Sequence, residues 1–189
     1  MATSNVIDYI TTASTGNATD FGDLTAAIAW SGGAANATRG INAGGTSPVT
    51  NVMDYITIAS TGNATDFGDM QSNKGYPQGC SNTTRAIWGG GGPARAGSVN
   101  EIDYVTIAST GNASDFGDLT LARINAGCGS NTTRGVWCGG NAANPLNIVN
   151  TMDYVTVAST GNAADFGDLF VATGSGGCGN SNGHGGLQS

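Results

Sequence analysis

One segment of eighteen residues recurs four times, almost unchanged, and this repetition limits the possible folds more than any other property of the chain. Its copies are IDYITTASTGNATDFGDL at 7–24, MDYITIASTGNATDFGDM at 53–70, IDYVTIASTGNASDFGDL at 102–119 and MDYVTVASTGNAADFGDL at 152–169. The leading acids Asp8, Asp54, Asp103 and Asp153 are spaced by 46, 49 and 50 residues. A second block lies between the copies: ANATRGINAGG at 35–45, CSNTTRAIWGGGG at 80–92 and GSNTTRGVWCGG at 129–140. A period of this length marks a modular array, in which each unit buries its apolar face only against its neighbours.

The pieces of a unit read as short strands joined by turns. In MDYITIAS, Asp54, Ile56 and Ile58 alternate with Tyr55, Thr57 and Ala59, the period of a strand rich in β-branched and aromatic residues. Thr-Gly-Asn follows as turn chemistry, because Gly and Asn tolerate positive φ. DFGDL is then a short strand, RGVW before Gly139-Gly140 another, and ARINAGCGS a strand of small residues. Four strands per unit make a four-stranded antiparallel sheet, and repeated sheets of this size are the signature of a propeller. Composition agrees: 32 glycines and 10% charged residues suit a turn-rich β protein.

The order of these pieces resembles the kelch repeat over essentially the whole chain. Gly44-Gly45, Gly90-Gly91 and Gly139-Gly140 match the kelch double glycine, and Arg123 matches the arginine that opens a kelch blade. Ala27 and Thr173 stand at that position elsewhere, and Phe21, Phe67, Phe116 and Phe166 replace the usual kelch tryptophan. The string ASTGNATDFGDL also resembles repeats in marine phage structural and tail proteins. The fold expected is all-β: a β-propeller of four kelch-like four-stranded blades in one domain, with one blade shared by the two termini. Blade one is 1–24 plus 170–189, blade two 25–70, blade three 71–119 and blade four 120–169. Combination of two chains into one larger ring is the alternative closure.

Several chemistries are excluded or weakened by the residues present. Net charge is −7 with only six Lys and Arg, which disfavours nucleic acid, a ligand that demands a basic footprint. No apolar run reaches membrane-spanning length, so no membrane insertion is expected, and the N-terminus shows no classical signal peptide. His184 is the only histidine, which leaves no His-based metal site or Ser-His-Asp triad. No catalytic residue, metal or cofactor is expected. Cys80, Cys128 and Cys178 are equivalent positions with Gly33 in the fourth unit; they read either as small hydrophobes at a crowded axis or as a ring of thiols for a soft metal. Asp20 and Asp23 with their equivalents read as turn caps or partners of Arg39, Arg85 and Arg134, or as calcium ligands without a recognisable loop. The Asn-X-Ser/Thr strings at Asn17, Asn36, Asn63, Asn82, Asn112 and Asn131 read as turn chemistry, with glycosylation acceptors in a secretory host as the alternative.

Repetition also separates a uniform face from a variable one. In a meander blade the SNTTR-like and STGNAT-like turns share one face. The loops TSPVTN at 46–51, GPARAGSVN at 92–100 and NAANPLNIVN at 141–150 share the other with the crossings between blades. Variable loops on a rigid scaffold are a usual place for recognition, so the expected binding residues are Arg95, Asn100, Asn141 and Asn144, with Lys74 and Tyr76 from a divergent crossing. The expected function is a non-enzymatic binding or structural module of a phage virion, such as a tail fibre or surface decoration, or of another extracellular assembly. Its partners would be a protein or glycan receptor, or other virion proteins. The alternatives are a cytoplasmic kelch-type adaptor that binds a protein, and a glycan-binding lectin or hydrolase.

Overall fold

The computed structural model describes residues 3–143 and 147–174. Apart from one 3-10 turn, Arg95–Gly97, its regular structure is entirely β. A two-stranded sheet comes first, β1 (Ser4–Tyr9) with β2 (Thr19–Ile28). Two antiparallel four-stranded meanders follow. The second sheet is β3 (Gly32–Ala35), β4 (Arg39–Ala43), β5 (Val52–Thr57) and β6 (Thr65–Asp69). The third is β7 (Gln78–Ser81), β8 (Arg85–Gly89), β9 (Glu101–Thr106) and β10 (Ser114–Asp118). A short ribbon pairs β11 (Arg123–Ile124) with β14 (Asn141–Ala142). It accompanies a fourth sheet of β12 (Gly127–Ser130), β13 (Arg134–Cys138), β15 (Thr151–Thr156) and β16 (Ala164–Asp168). The expected all-β class and four-strand units are therefore present.

The Asp-Phe-Gly-Asp string makes the outer strand of each sheet in one specific way. Met53 pairs with Gly68 and Asp54 with Asp66, so Phe67 is the extra residue of a β-bulge. The same skip occurs at Phe21, Phe116 and Phe166. A bulge re-aims a side chain, and each Phe ring meets a Tyr of the adjoining strand edge-on, for example Phe116 with Tyr104 at 5.7 Å. The Asp before the bulge caps it: Gly117 N–H donates to Asp115 Oδ1 at 3.0 Å.

Core lies between sheets, not within one. One cluster joins Ile41, Met53, Phe67 and Met70 of the second unit to Trp88, Val105 and Ile107 of the third. The other joins Cys80, Ile87, Ile102 and Phe116 to Trp137, Val155 and Val157 of the fourth. The indole N–H of Trp88 donates to Gly32 O at 3.1 Å and that of Trp137 to Gln78 O at 2.9 Å, which satisfies the one polar atom each buried indole carries.

Neighbouring units meet through a repeated joint. The Thr-Gly-Asn-Ala turn of one unit lies along the outer strand of the unit before it. Gly62 N–H donates to Phe21 O and Ala64 N–H to Asp23 O, both at 2.7 Å; Gly111 and Ala113 do the same to Phe67 and Asp69, and Gly161 and Ala163 to Phe116 and Asp118. Asn63, Asn112 and Asn162 accept from the N–H of Asp23, Asp69 and Asp118, each at 3.1 Å. The joint therefore pairs an edge that would otherwise be open. Glycine is required on the outer strand, because a Cβ on Gly68 would lie 2.5 Å from Gly111 O. Arg39 and Arg85 reach forward to Ile107 O and Val157 O of the next unit. At the inner strands the Ser81 and Ser130 hydroxyls donate back to Ala35 O and Ser81 O.

This joint is made three times among the described residues. Between the fourth sheet and the first it is not: Phe166 is 48% exposed, against 8%, 2% and 2% for Phe21, Phe67 and Phe116. The expected first blade drew on 170–189, and its part at 175–189 lies outside the described residues.

Candidate functional site

The uniform face is held by Asn side chains, as the turn reading of the Asn-X-Ser/Thr strings anticipated. Asn36 Oδ1 accepts from the N–H of Thr38 and Arg39, Asn82 from Thr84 and Arg85, and Asn131 from Thr133 and Arg134. The Arg residues that follow do not pair with Asp, as was one expectation. Arg39, Arg85 and Arg134 lie 4.7, 4.8 and 4.7 Å over the rings of Tyr55, Tyr104 and Tyr154, a cation–π placement.

On the opposite rim the crossings and the long loops are tied together. Gly45 N–H donates to Lys74 O at 2.8 Å and Gly91 N–H to Arg123 O at 3.0 Å. The first acid of the second, third and fourth units is buried here and takes hydrogen bonds from the crossing that arrives from the unit before, whereas Asp8 of the first unit is exposed. Asp54 accepts from the Thr25 N–H and hydroxyl, Asp103 from Gln71 and Lys74, and Asp153 from Thr120 and Arg123.

This arrangement corrects the expectation for Lys74. It is fully buried, with Nζ 2.7 Å from Asp103 and 3.0 Å from Glu101, so it offers no charge to a ligand. A buried carboxylate requires a partner, and Lys74 is that partner for Asp103. Arg123 does the same for Asp153 at 2.7 Å. Burial holds the Arg123 guanidinium below its usual value, with the charge of Asp153 opposing. Burial also opposes ionisation of Glu101, yet the hydrogen bond and charge of Lys74, with the Ser72 hydroxyl, outweigh it and hold Glu101 below the usual carboxylate range.

Asn100 is likewise a scaffold residue. Its Nδ2 donates to Leu119 O, as Asn51 does to Met70 O and Asn150 to Leu169 O. The alignment of these three Asn was legible in the sequence, since each precedes the strand that carries the unit's first acid by a fixed interval. Asn141 is half-buried in β14 and donates to Gly174 O. Arg95 sits in the 3-10 turn, and Asn144 lies outside the described residues.

Tyr76 stays on the rim, half-buried, and has a partner the sequence reading missed. Its ring is 5.5 Å from that of Trp30, tilted by 41°, and Trp30 is 50% exposed. Trp30, Tyr76 and Asn125 occupy the same place in successive units and have φ of 56°, 59° and 57°. Asn adopts this left-handed region readily and bulky aromatics seldom do. The signal was their common offset from Leu24, Met70 and Leu119.

At the inner strands Cys80 and Cys128 come together, as their equivalence suggested, while Cys178 lies outside the described residues. Burial, then the neighbouring Cys80, push the Cys128 thiol well above its usual value, which disfavours its thiolate form. Among the described residues no cluster of three or more His, Cys, Asp or Glu could hold a metal. Both thiols border a cavity of about 750 Å³ bounded by β1, the face of the second sheet and the inner strands β7 and β12. The sequence matches no protein-family model and no curated protein.

Proposed function

We propose that this protein is a non-enzymatic binding and structural module, a component of a phage virion such as a tail fibre or surface decoration, or of a comparable extracellular assembly. Its units are read as kelch-like blades of a propeller, with the first blade shared between the N-terminal segment and 170–189. The observation that carries the reading is the contrast between faces. Joints and Asn turns repeat nearly atom for atom, while the loops 46–51, 92–100 and 141–150 differ in length and sequence. Asp54, Asp103 and Asp153 are occupied in holding crossings, which suits a scaffold that presents a rim. Trp30 against Tyr76 on that rim supports contact with a protein or glycan receptor, because exposed aromatics are favoured anchors.

The test is replacement of 92–100 by a short Gly-Ser loop, with Trp30→Asn as a second variant, followed by binding to host cells and to a glycan array. Loss of binding by either, with the fold intact by circular dichroism, is the expected result. Retention of all binding by both would remove this rim from consideration. Mass spectrometry of purified virions separates the assembly reading from a cytoplasmic adaptor.

A further inference from the structure

The joint that links successive units has two halves. One is the outer strand, with its Phe and Asp carbonyls and its Asp N–H. The other is the Thr-Gly-Asn-Ala turn, with two N–H donors and an Asn acceptor. Each half occurs four times in the chain, yet only three joints are made among the described residues. The remaining halves are the outer edge of β16 and the turn 15–18.

Four features show that both remaining halves stand apart. A Cβ on Gly167 would meet only Met152 Cε at 3.8 Å, whereas on Gly22, Gly68 or Gly117 it would strike the following turn at 2.4–2.5 Å. Phe166 is 48% exposed and Phe170, at the start of the next crossing, is fully exposed. The Arg134 side chain is exposed and lies over Tyr154 with no bond to a following unit among the described residues, where Arg39 and Arg85 also bond the next unit. The turn glycines of the made joints, Gly62, Gly111 and Gly161, have φ of 153°, 152° and 154°, while Gly16 is not among the positive-φ residues. The free turn therefore rests in a different conformation from the docked one.

We infer that the turn 15–18 of one copy docks on the β16 edge of a second copy and makes the fourth joint between chains. Gly16 N–H would donate to Phe166 O of the second copy, Ala18 N–H to its Asp168 O, and Asn17 Oδ1 would accept from its Asp168 N–H. The second copy's Arg134 would reach Thr12 O, the equivalent of Ile107 and Val157. A second copy fits because the surfaces are already proven complementary three times within the chain, and because the two halves do not meet within one copy. Such an interface is head-to-tail, so it either closes into a ring of copies or extends as a filament. Sheet edges left open are the usual route to pairing of this kind. The inference rests on the blade reading above in its two-chain form: the N-terminal half of the shared blade then stands next to the fourth unit of a second copy.

The test is solution mass by sedimentation equilibrium of the full chain, from about 1 μM to 1 mM. The mass is expected to rise above 18.7 kDa with concentration. Gly16→Ala, harmless to the free turn but barred from the φ of a docked one, is expected to stay at 18.7 kDa. Asp168→Pro removes the N–H that Asn17 must accept, at an outward-facing edge position where proline is tolerated, and is also expected to stay monomeric. Mixed in equal amounts the two variants keep one intact half each, and should form a capped pair of twice 18.7 kDa and nothing larger. A wild-type mass fixed at 18.7 kDa throughout would overturn the inference. So would self-association of Gly16→Ala equal to that of wild type, or a mixture that stays monomeric. A monomer that still binds its receptor would leave the proposed function standing.

Discussion

Phe116 and Phe166 occupy the same bulge of the same four-residue string, each edge-on to its own tyrosine at 5.7 Å, yet one is 2% exposed and the other 48%. Local sequence sets the strand, the bulge and the Tyr contact in both. Burial differs because Phe116 has the turn and sheet of the next unit over it and Phe166 has not. The repeat thus encodes a half-finished interface, and stability resides in its completion by a neighbour. Modular arrays in which each unit contacts only the next behave this way.

The comparison breaks first if the two phenylalanines are energetically alike. Phe116→Ala is expected to cost about 3–5 kcal/mol, the usual range for emptying a core aromatic site. Phe166→Ala should cost less than about 1 kcal/mol. Urea unfolding at low micromolar concentration decides it, and equal losses would mean that both joints are made.

The crossings allow a comparison of the same kind. Lys74→Met leaves Asp103 buried without its cation and should cost about 3–5 kcal/mol. Thr25→Val, which removes only a neutral hydroxyl from Asp54, should cost about 1–3 kcal/mol. Thermal unfolding of the two variants ranks them, and a reversed order would show that the buried Lys74–Asp103 pair does not hold its crossing. A smaller effect is expected at the turns: Asn112→Ala should lose about 1 kcal/mol, while Asn17→Ala in dilute solution should lose nothing measurable. The smallest concerns pH. Glu101 is held below the usual carboxylate range, so its contribution is present above that range and is lost as pH falls through its folded value. Glu101→Gln should flatten this part of the acid-side decline; an identical pH profile for both proteins would remove Glu101 from it.

Much of the scaffold was legible because repetition aligns positions that a single copy would leave ambiguous. Most strands, the Gly-Asn turns, the capping role of Asp115 and the pairing of Cys80 with Cys128 follow from that alignment, whereas ARINAGCGS, read as one strand, is divided at the left-handed Asn125 into β11 and β12. The site was less legible. Lys74 was read as a free rim cation because it lies on a divergent crossing, outside the recurring Arg positions. Its partner, Asp103, is 29 residues away, and only packing of one unit on the next reveals the pair. Asn100 was placed in a variable loop although Asn51 and Asn150 share its role. Trp30 escaped notice because its equivalents are Tyr76 and Asn125, so the shared offset is not accompanied by a shared residue type.

The central claim is that the Thr-Gly-Asn-Ala turn is docked three times and free once within a single copy. Amide hydrogen exchange in dilute solution tests it at four equivalent glycines. The account expects slow exchange at Gly62, Gly111 and Gly161, whose N–H groups bond the preceding unit at 2.7, 2.7 and 2.6 Å, and near-unprotected exchange at Gly16. Four equally protected glycines would contradict it, and so would fast exchange at all four.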